Sequence, residues 1–127
     1  MQMPNYRLPK VLVVDDNFTD LALIGQLLQQ NGYAVVTAFD GDDAIDKVVY
    51  ERPQCIILDV VLPKQNGFQV CRRLRQMPQF ANIPIIMLSV KNTPADIQWG
   101  MQQGANCYIT KPFRPDELLR NLQILVA

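Results

Sequence analysis

The chain has 127 residues, of which 49% are hydrophobic and 19% are charged, and its formal net charge is zero. This length predicts one domain that can bury a core without a disulfide or a structural metal. The balanced charge argues against wholesale binding to nucleic acid, and no apolar run is long enough to predict membrane insertion. The chain contains no histidine, which excludes His-based catalysis, His metal sites and a phosphohistidine on this chain.

Residues 1–9 contain Pro4 and Pro9 and show no periodicity, so they predict a flexible N-terminal arm before a domain at 10–127. The arm lacks the apolar region of a signal peptide. The three cysteines are odd in number and match no metal-ligand spacing, which favours reduced thiols. Together these features predict a cytoplasmic protein.

The first two predicted elements are a strand and a helix. Residues 11–14 form a continuous β-branched apolar run, typical of a strand buried on both faces. Residues 18–30 carry a helical apolar stripe, with Asn17 and Asp20 as an N-cap pair and Gly32 just past the end. The alternation then repeats, with strands predicted at 33–39, 55–58, 84–88 and 107–110 and helices at 42–51, 67–76, 94–103 and 115–125. Five strand–helix units predict an α/β domain with a parallel sheet and helices on both faces.

Polar residues follow four of the five predicted strands. They are Asp15 with Asp16, Asp59, Ser89 and Lys111. Because the carboxyl ends of parallel strands share one edge, these side chains should converge on one site.

The charges of this cluster indicate its chemistry. Two carboxylates about 4 Å apart repel by roughly 4 kcal/mol at an effective dielectric of 20, and one lysine offsets only part of the repulsion among three. The cluster therefore favours either shifted pKa values or a bound cation. Its oxygen ligands suit Mg²⁺, and a hard cation beside a carboxylate and a lysine is typical of phosphoryl transfer.

The motifs resemble a known family. The pattern comprises Asp15-Asp16, Asp59 with Pro63 and Gly67, Ser89, and Lys111-Pro112-Phe113. It is similar to the receiver domains of two-component response regulators over about residues 10–126. The resemblance implies a flavodoxin-like, doubly wound sheet of five parallel strands in the order 2-1-3-4-5, with five helices. It also implies a signalling switch that is phosphorylated by a histidine kinase or a phosphotransfer domain.

The resemblance assigns a role to each site residue. Asp59 is the phosphoacceptor and binds Mg²⁺ directly together with Asp16. Asp15 binds the metal mostly through water, and the Val61 carbonyl is a further ligand. Lys111 holds a phosphoryl oxygen. The resemblance also implies that the Ser89 hydroxyl acts as a switch and that Tyr108 changes rotamer with it. It further implies a cis peptide bond before Pro112.

The helix at 94–103 carries Ile97, Trp99 and Met101. Positions 97 and 99 lie about 200° apart on a helix, so at least one large apolar side chain should be exposed near Tyr108. This arrangement predicts a face for a downstream protein target. Residues 99–105 resemble stand-alone receivers of twitching-motility and chemotaxis-like pathways.

Other functions remain open from the sequence. A Mg²⁺-dependent phosphatase with an aspartyl-phosphate resembles this site, but it usually has an acid two residues after the nucleophile, where this chain has Val61. A pseudo-receiver scaffold is disfavoured because all the site residues are present. A receiver belonging to a larger DNA-binding regulator or hybrid kinase would have the same sequence pattern; the chain itself shows no basic recognition helix, so no direct nucleic-acid contact is predicted.

Overall fold

The computed structural model describes residues 8–126, so most of the predicted arm at 1–9 lies outside the described residues. Within that range five strands alternate with five helices, and a short 3-10 helix at Pro78–Phe80 precedes the fourth strand. None of the helices between residues 8 and 126 is long and apolar enough to cross a membrane. The elements in chain order are β1 (Lys10–Val14), α1 (Phe18–Gln30), β2 (Ala34–Ala38), α2 (Gly41–Glu51), β3 (Cys55–Leu58), α3 (Gly67–Arg75), β4 (Ile85–Ser89), α4 (Pro94–Gln103), β5 (Cys107–Thr110) and α5 (Pro115–Val126).

The strands form one parallel sheet in the order β2-β1-β3-β4-β5, which confirms the expected fold. The chain first moves outward from β1 to β2 and then continues on the other side of β1 with β3. Such a reversal leaves a crevice outside the carboxyl ends of β1 and β3, where ligands bind in open α/β sheets. The residues that directly follow β1 and β3 therefore lie at this crevice.

Apolar residues pack on both faces of the sheet. Alternate strand residues point to opposite faces, so Leu12 and Ile56 belong to one core cluster while Val13 and Ile57 belong to the other. The first cluster is completed by α2 and α3, and the second by α1 and α5. Burial on both faces explains why the strands read as continuous apolar runs.

The start of α1 differs in part from the prediction. Asn17 is the N-cap, and its side chain accepts a hydrogen bond from the backbone N–H of Asp20. Asp20 takes part in the cap through its backbone N–H only, because its carboxylate accepts a hydrogen bond from Lys111. Smaller differences concern element ends, such as β2, which excludes Tyr33 and Phe39.

Helix α4 is attached differently from the other helices. Gly100 is its only buried residue within the described range. A Cβ atom at Gly100 would lie 2.8 Å from Met87 Sδ and 2.9 Å from a ring carbon of Tyr108. The helix therefore approaches the sheet closely at one glycine, while Trp99 and Met101 are about half exposed.

Arg75, at the end of α3, fixes the carboxyl end of α4. Its guanidinium donates two hydrogen bonds to the carbonyl of Gly104, at 2.8 and 3.0 Å, and one to Asn106 at 3.1 Å. Gly104 has a φ of +113°, a conformation that favours glycine at a helix C-terminus. A cation at this end also complements the helix dipole.

Candidate functional site

The site is built around the ammonium group of Lys111. Its Nζ atom lies 2.6 Å from Asp15 Oδ2, 2.9 Å from Asp20 Oδ2 and 3.1 Å from Asp59 Oδ2. Asp15 directly follows β1, Asp59 directly follows β3 and Lys111 directly follows β5. Parallel strands thus bring together residues that are up to 96 positions apart in sequence.

Both strand-end carboxylates are buried and oriented by backbone hydrogen bonds. The second oxygen of Asp59 accepts from the N–H of Val61 at 3.1 Å, and that of Asp15 accepts from the N–H of Asn17 at 2.9 Å. The backbone N–H of Asp59 donates to the carbonyl of Val14, which extends the β1–β3 pairing to the site. The two carboxylates are therefore held by the sheet.

The ion pairs shift the pKa values of the buried groups. Burial raises the pKa of Asp15, and the hydrogen bond from Lys111 only partly offsets this effect. Burial alone would lower the pKa of Lys111, but its hydrogen bonds to Asp15 and Asp20 and the charge of Asp59 raise it above the ordinary value. The lysine is therefore firmly protonated, and the centre holds more negative than positive charge.

Asp20 is the site residue that sequence reasoning missed. It lies in the first turn of α1, and its side chain is 35% exposed. Because α1 begins only three residues after Asp15, its first turn lies close to the carboxyl end of β1. An acidic residue in that first turn was the available signal for a further carboxylate at the site.

Ser89 and Tyr108 connect the site to α4. Ser89 is fully buried at the end of β4, and its backbone carbonyl accepts from the N–H of Lys111 at 2.8 Å. The Ser89 hydroxyl accepts from the N–H of Lys91 at 3.3 Å. The hydroxyl of Tyr108 donates to the carbonyl of Lys91 at 2.7 Å. Both switch candidates therefore contact the same residue of the β4–α4 loop.

The remaining predicted ligands lie at the surface of the site. Asp16 is exposed, and Val61 is 45% exposed. Between residues 8 and 126, no group of three or more His, Cys, Asp or Glu side chains is arranged to hold a metal ion. The donor chemistry nevertheless fits Mg²⁺, because the available ligands are oxygens and Lys111 leaves a net negative charge. Asp15 and Asp59 each use only one oxygen for Lys111, so each has lone pairs left for a cation.

A mostly apolar groove of about 560 Å³ opens beside the site. Its walls are formed by Leu23 and Leu27 of α1 and by Phe113 after β5, and Asp20 and Lys111 also line it. The pair formed by Asp20 and Lys111 thus separates the groove from the buried carboxylates.

A five-stranded parallel sheet in the order β2-β1-β3-β4-β5, with helices on both faces, defines a flavodoxin-like α/β domain. The response regulator receiver domain family matches residues 11–123, and the chain belongs to this family. Receiver domains act as signalling switches in two-component systems.

Individual relatives support this assignment. The alkaline phosphatase synthesis transcriptional regulatory protein PhoP of Bacillus subtilis is 45% identical over 109 residues, which cover 86% of this chain and 45% of PhoP. This chain therefore spans less than half of the length of PhoP. Protein PilH of Pseudomonas aeruginosa is 33% identical over 118 residues, covering 93% of this chain and 98% of PilH. The structure of the chemotaxis response regulator CheY4 of Vibrio cholerae matches with a TM-score of 0.87 at 37% identity, covering 94% of this chain and 99% of CheY4.

Proposed function

We propose that this domain accepts a phosphoryl group on Asp59 from a histidine kinase or a phosphotransfer domain. The observation that carries the proposal is the buried Asp59 carboxylate, which is held by the Val61 N–H and the Lys111 ammonium. An Asp59 oxygen attacks phosphorus, the phosphorus–nitrogen bond of the donor breaks, and the imidazole nitrogen keeps the electron pair. Lys111 then donates to a phosphoryl oxygen and offsets its charge.

A divalent cation belongs to the same proposal. Asp16 and Asp59 would bind Mg²⁺ directly, Asp15 would bind it mostly through water, and the Val61 carbonyl would be a further ligand. The cation supplies charge neutralisation for the phosphoryl oxygens. The support is the excess of carboxylates over cations around Lys111.

The output of the switch is a change at α4. A phosphoryl group on Asp59 draws the Ser89 hydroxyl toward it, which weakens the hydrogen bond from the Lys91 N–H. Tyr108, which donates to the same residue, then changes rotamer. The face formed by Ile97, Trp99, Met101 and Tyr108 would in this way present different contacts to a downstream protein.

Labelling with acetyl phosphate tests the acceptor assignment. Intact-mass measurements on the wild type, Asp59→Asn and the control Asp46→Asn should show one added phosphoryl group in the wild type and the control only. Asp46 is exposed on α2, so the control changes the same kind of side chain outside the site. EDTA should abolish labelling. Full labelling of Asp59→Asn, or labelling of the wild type without any divalent ion, would contradict the proposal.

Trp99 provides a probe of the output change, because it is 49% exposed on the proposed face. Its emission should shift when acetyl phosphate and Mg²⁺ are added together, and it should not shift in Asp59→Asn. Unchanged emission in fully phosphorylated protein, together with unchanged hydrogen exchange in α4, would refute the coupling.

Different relatives support two ways for the phosphorylated receiver to act on its target. Near-complete coverage of PilH favours a receiver that acts through its own face. The similarity to part of PhoP favours a receiver within a larger transcriptional regulator. The mass of the native protein in its own cell separates the two, because the second arrangement requires a chain much longer than 127 residues.

A further inference from the structure

All three protons of one ammonium group are engaged at this site. A lysine ammonium has three donors, and Lys111 makes three hydrogen bonds, to Asp15, Asp20 and Asp59. Lys111 must therefore release one carboxylate before it can bind a phosphoryl oxygen. Which carboxylate it releases determines how the lysine is held during the transfer.

Asp59 is the partner that phosphorylation itself removes. Its bond to Lys111 is the longest of the three at 3.1 Å, and a carboxylate that becomes an acyl phosphate loses its negative charge. Asp15 is buried and makes the shortest bond, at 2.6 Å. Asp20 approaches from α1, on the side of the groove, at 2.9 Å. The bonds to Asp15 and Asp20 therefore remain when the bond to Asp59 is exchanged.

We propose that Asp20 is a positioning residue that, together with Asp15, holds the Lys111 ammonium so that its third proton points at the phosphoryl group. The proposal rests on the phosphoryl-accepting function proposed above. With two fixed partners the ammonium is already oriented before the donor arrives, and this preorganisation accelerates the transfer. With Asp15 alone, the long side chain of Lys111 gains freedom toward the groove and must be ordered in each reaction.

The charge of Asp20 has an effect that must be separated from positioning. A carboxylate beside the site repels an anionic phosphodonor, so its removal by itself would accelerate phosphorylation. This long-range repulsion is screened by salt, whereas a direct hydrogen bond in a partly buried pair is screened much less. High ionic strength weakens this repulsion, and because Asp20→Ala and Asp20→Asn both remove the charge, the difference between their rates reports positioning.

The test compares Asp20→Ala, Asp20→Asn and the matched charge control Asp46→Ala. At high salt, phosphorylation by acetyl phosphate should slow by about fivefold in Asp20→Ala. It should slow by only roughly twofold in Asp20→Asn, because the amide oxygen still accepts a weaker hydrogen bond. Asp46→Ala should keep the wild-type rate. The substitutions leave the α1 cap intact, because Asn17 accepts from the backbone N–H of residue 20.

An NMR signal tests, without any phosphorylation, whether Asp20 holds the Lys111 ammonium. In an NMR spectrum selective for lysine ammonium groups, Lys111 should give a slowly exchanging signal in the wild type, assigned by its loss in Lys111→Arg. The signal should persist in Asp20→Asn and broaden in Asp20→Ala. A wild-type rate at high salt together with an unchanged ammonium signal in Asp20→Ala would overturn the proposal. If the wild type itself is not phosphorylated, the proposed function fails, and the ammonium signal alone still decides whether Asp20 holds Lys111.

Discussion

Two helical glycines should respond in opposite ways to the same substitution. A Cβ atom at Gly25 in α1 would lie 3.8 Å from Val35 Cγ1, an ordinary contact distance. A Cβ atom at Gly100 in α4 would lie 2.8 Å from Met87 Sδ and 2.9 to 3.0 Å from two ring carbons of Tyr108. The two sites therefore share a backbone effect but differ in the space available for a methyl group.

The magnitudes follow from these distances. Alanine is favoured over glycine inside a helix by about 1 kcal/mol, so Gly25→Ala should raise the free energy of unfolding by roughly 0.5 to 1 kcal/mol. Overpacking costs about 1 to 3 kcal/mol. Met87 yields because methionine is flexible, but the Tyr108 ring is rigid and its hydroxyl is bonded to Lys91. Gly100→Ala should therefore lower the free energy of unfolding by about 1 kcal/mol.

Urea denaturation of both variants and the wild type measures this difference, which should be about 2 kcal/mol between the two variants. In thermal unfolding the same difference corresponds to a separation of about 8 °C. If Gly100→Ala stabilises the protein as much as Gly25→Ala does, α4 can move away from the sheet at no cost, and the close approach at Gly100 does not hold it.

The other predictions concern phosphoryl lifetime and thiol reactivity. Val61 and Val90 are 45% and 60% exposed, and neither can hydrogen-bond a water that attacks the acyl phosphate. The phosphorylated form should therefore be long-lived. Val61→Asn, which adds a group that can hydrogen-bond the water, and Val90→Ala, which removes bulk from its approach, should each speed decay by up to about tenfold; an unchanged decay rate in both variants would rule out this role. Burial raises the pKa of Cys55 to about 12 and those of Cys71 and Cys107 to about 11. Because the thiolate is the reactive form, alkylation by iodoacetamide at about pH 8 should be about a hundredfold slower in the native protein than in urea. Equal rates in the two states would contradict the burial argument.

The fold was predictable because its signals are local. Apolar strands that are buried on both faces lack alternation, and the cap residue Asn17 marks the start of α1. The convergence of Asp15, Asp59 and Lys111 was also predictable, because parallel strands place their ends at one edge. Each of these inferences needs only strand order and direction.

The remaining contacts depend on how helices are rotated against the sheet, which short-range patterns do not specify. From the sequence alone, Asp20 is interpreted as a capping residue. Its hydrogen bond with Lys111 becomes apparent only when α1 lies beside the end of β5. Arg75 is one of several basic residues near the end of α3, and its bonds to Gly104 appear only when α3 and α4 lie side by side. The same is true of Gly100, whose sequence neighbours do not reveal Met87 below it.

Helix α4 contributes no side chain to either core cluster formed by residues 8–126. Its displacement would uncover mainly Met87 and Tyr108, which lie against Gly100, so the cost of moving it is small compared with the free energy of folding. Substitutions on its outer surface, at Trp99 or Met101 for example, should therefore change the free energy of unfolding only slightly. Natural selection can thus alter the proposed partner-binding face on this helix while the sheet and the proposed phosphorylation site continue to fold unchanged.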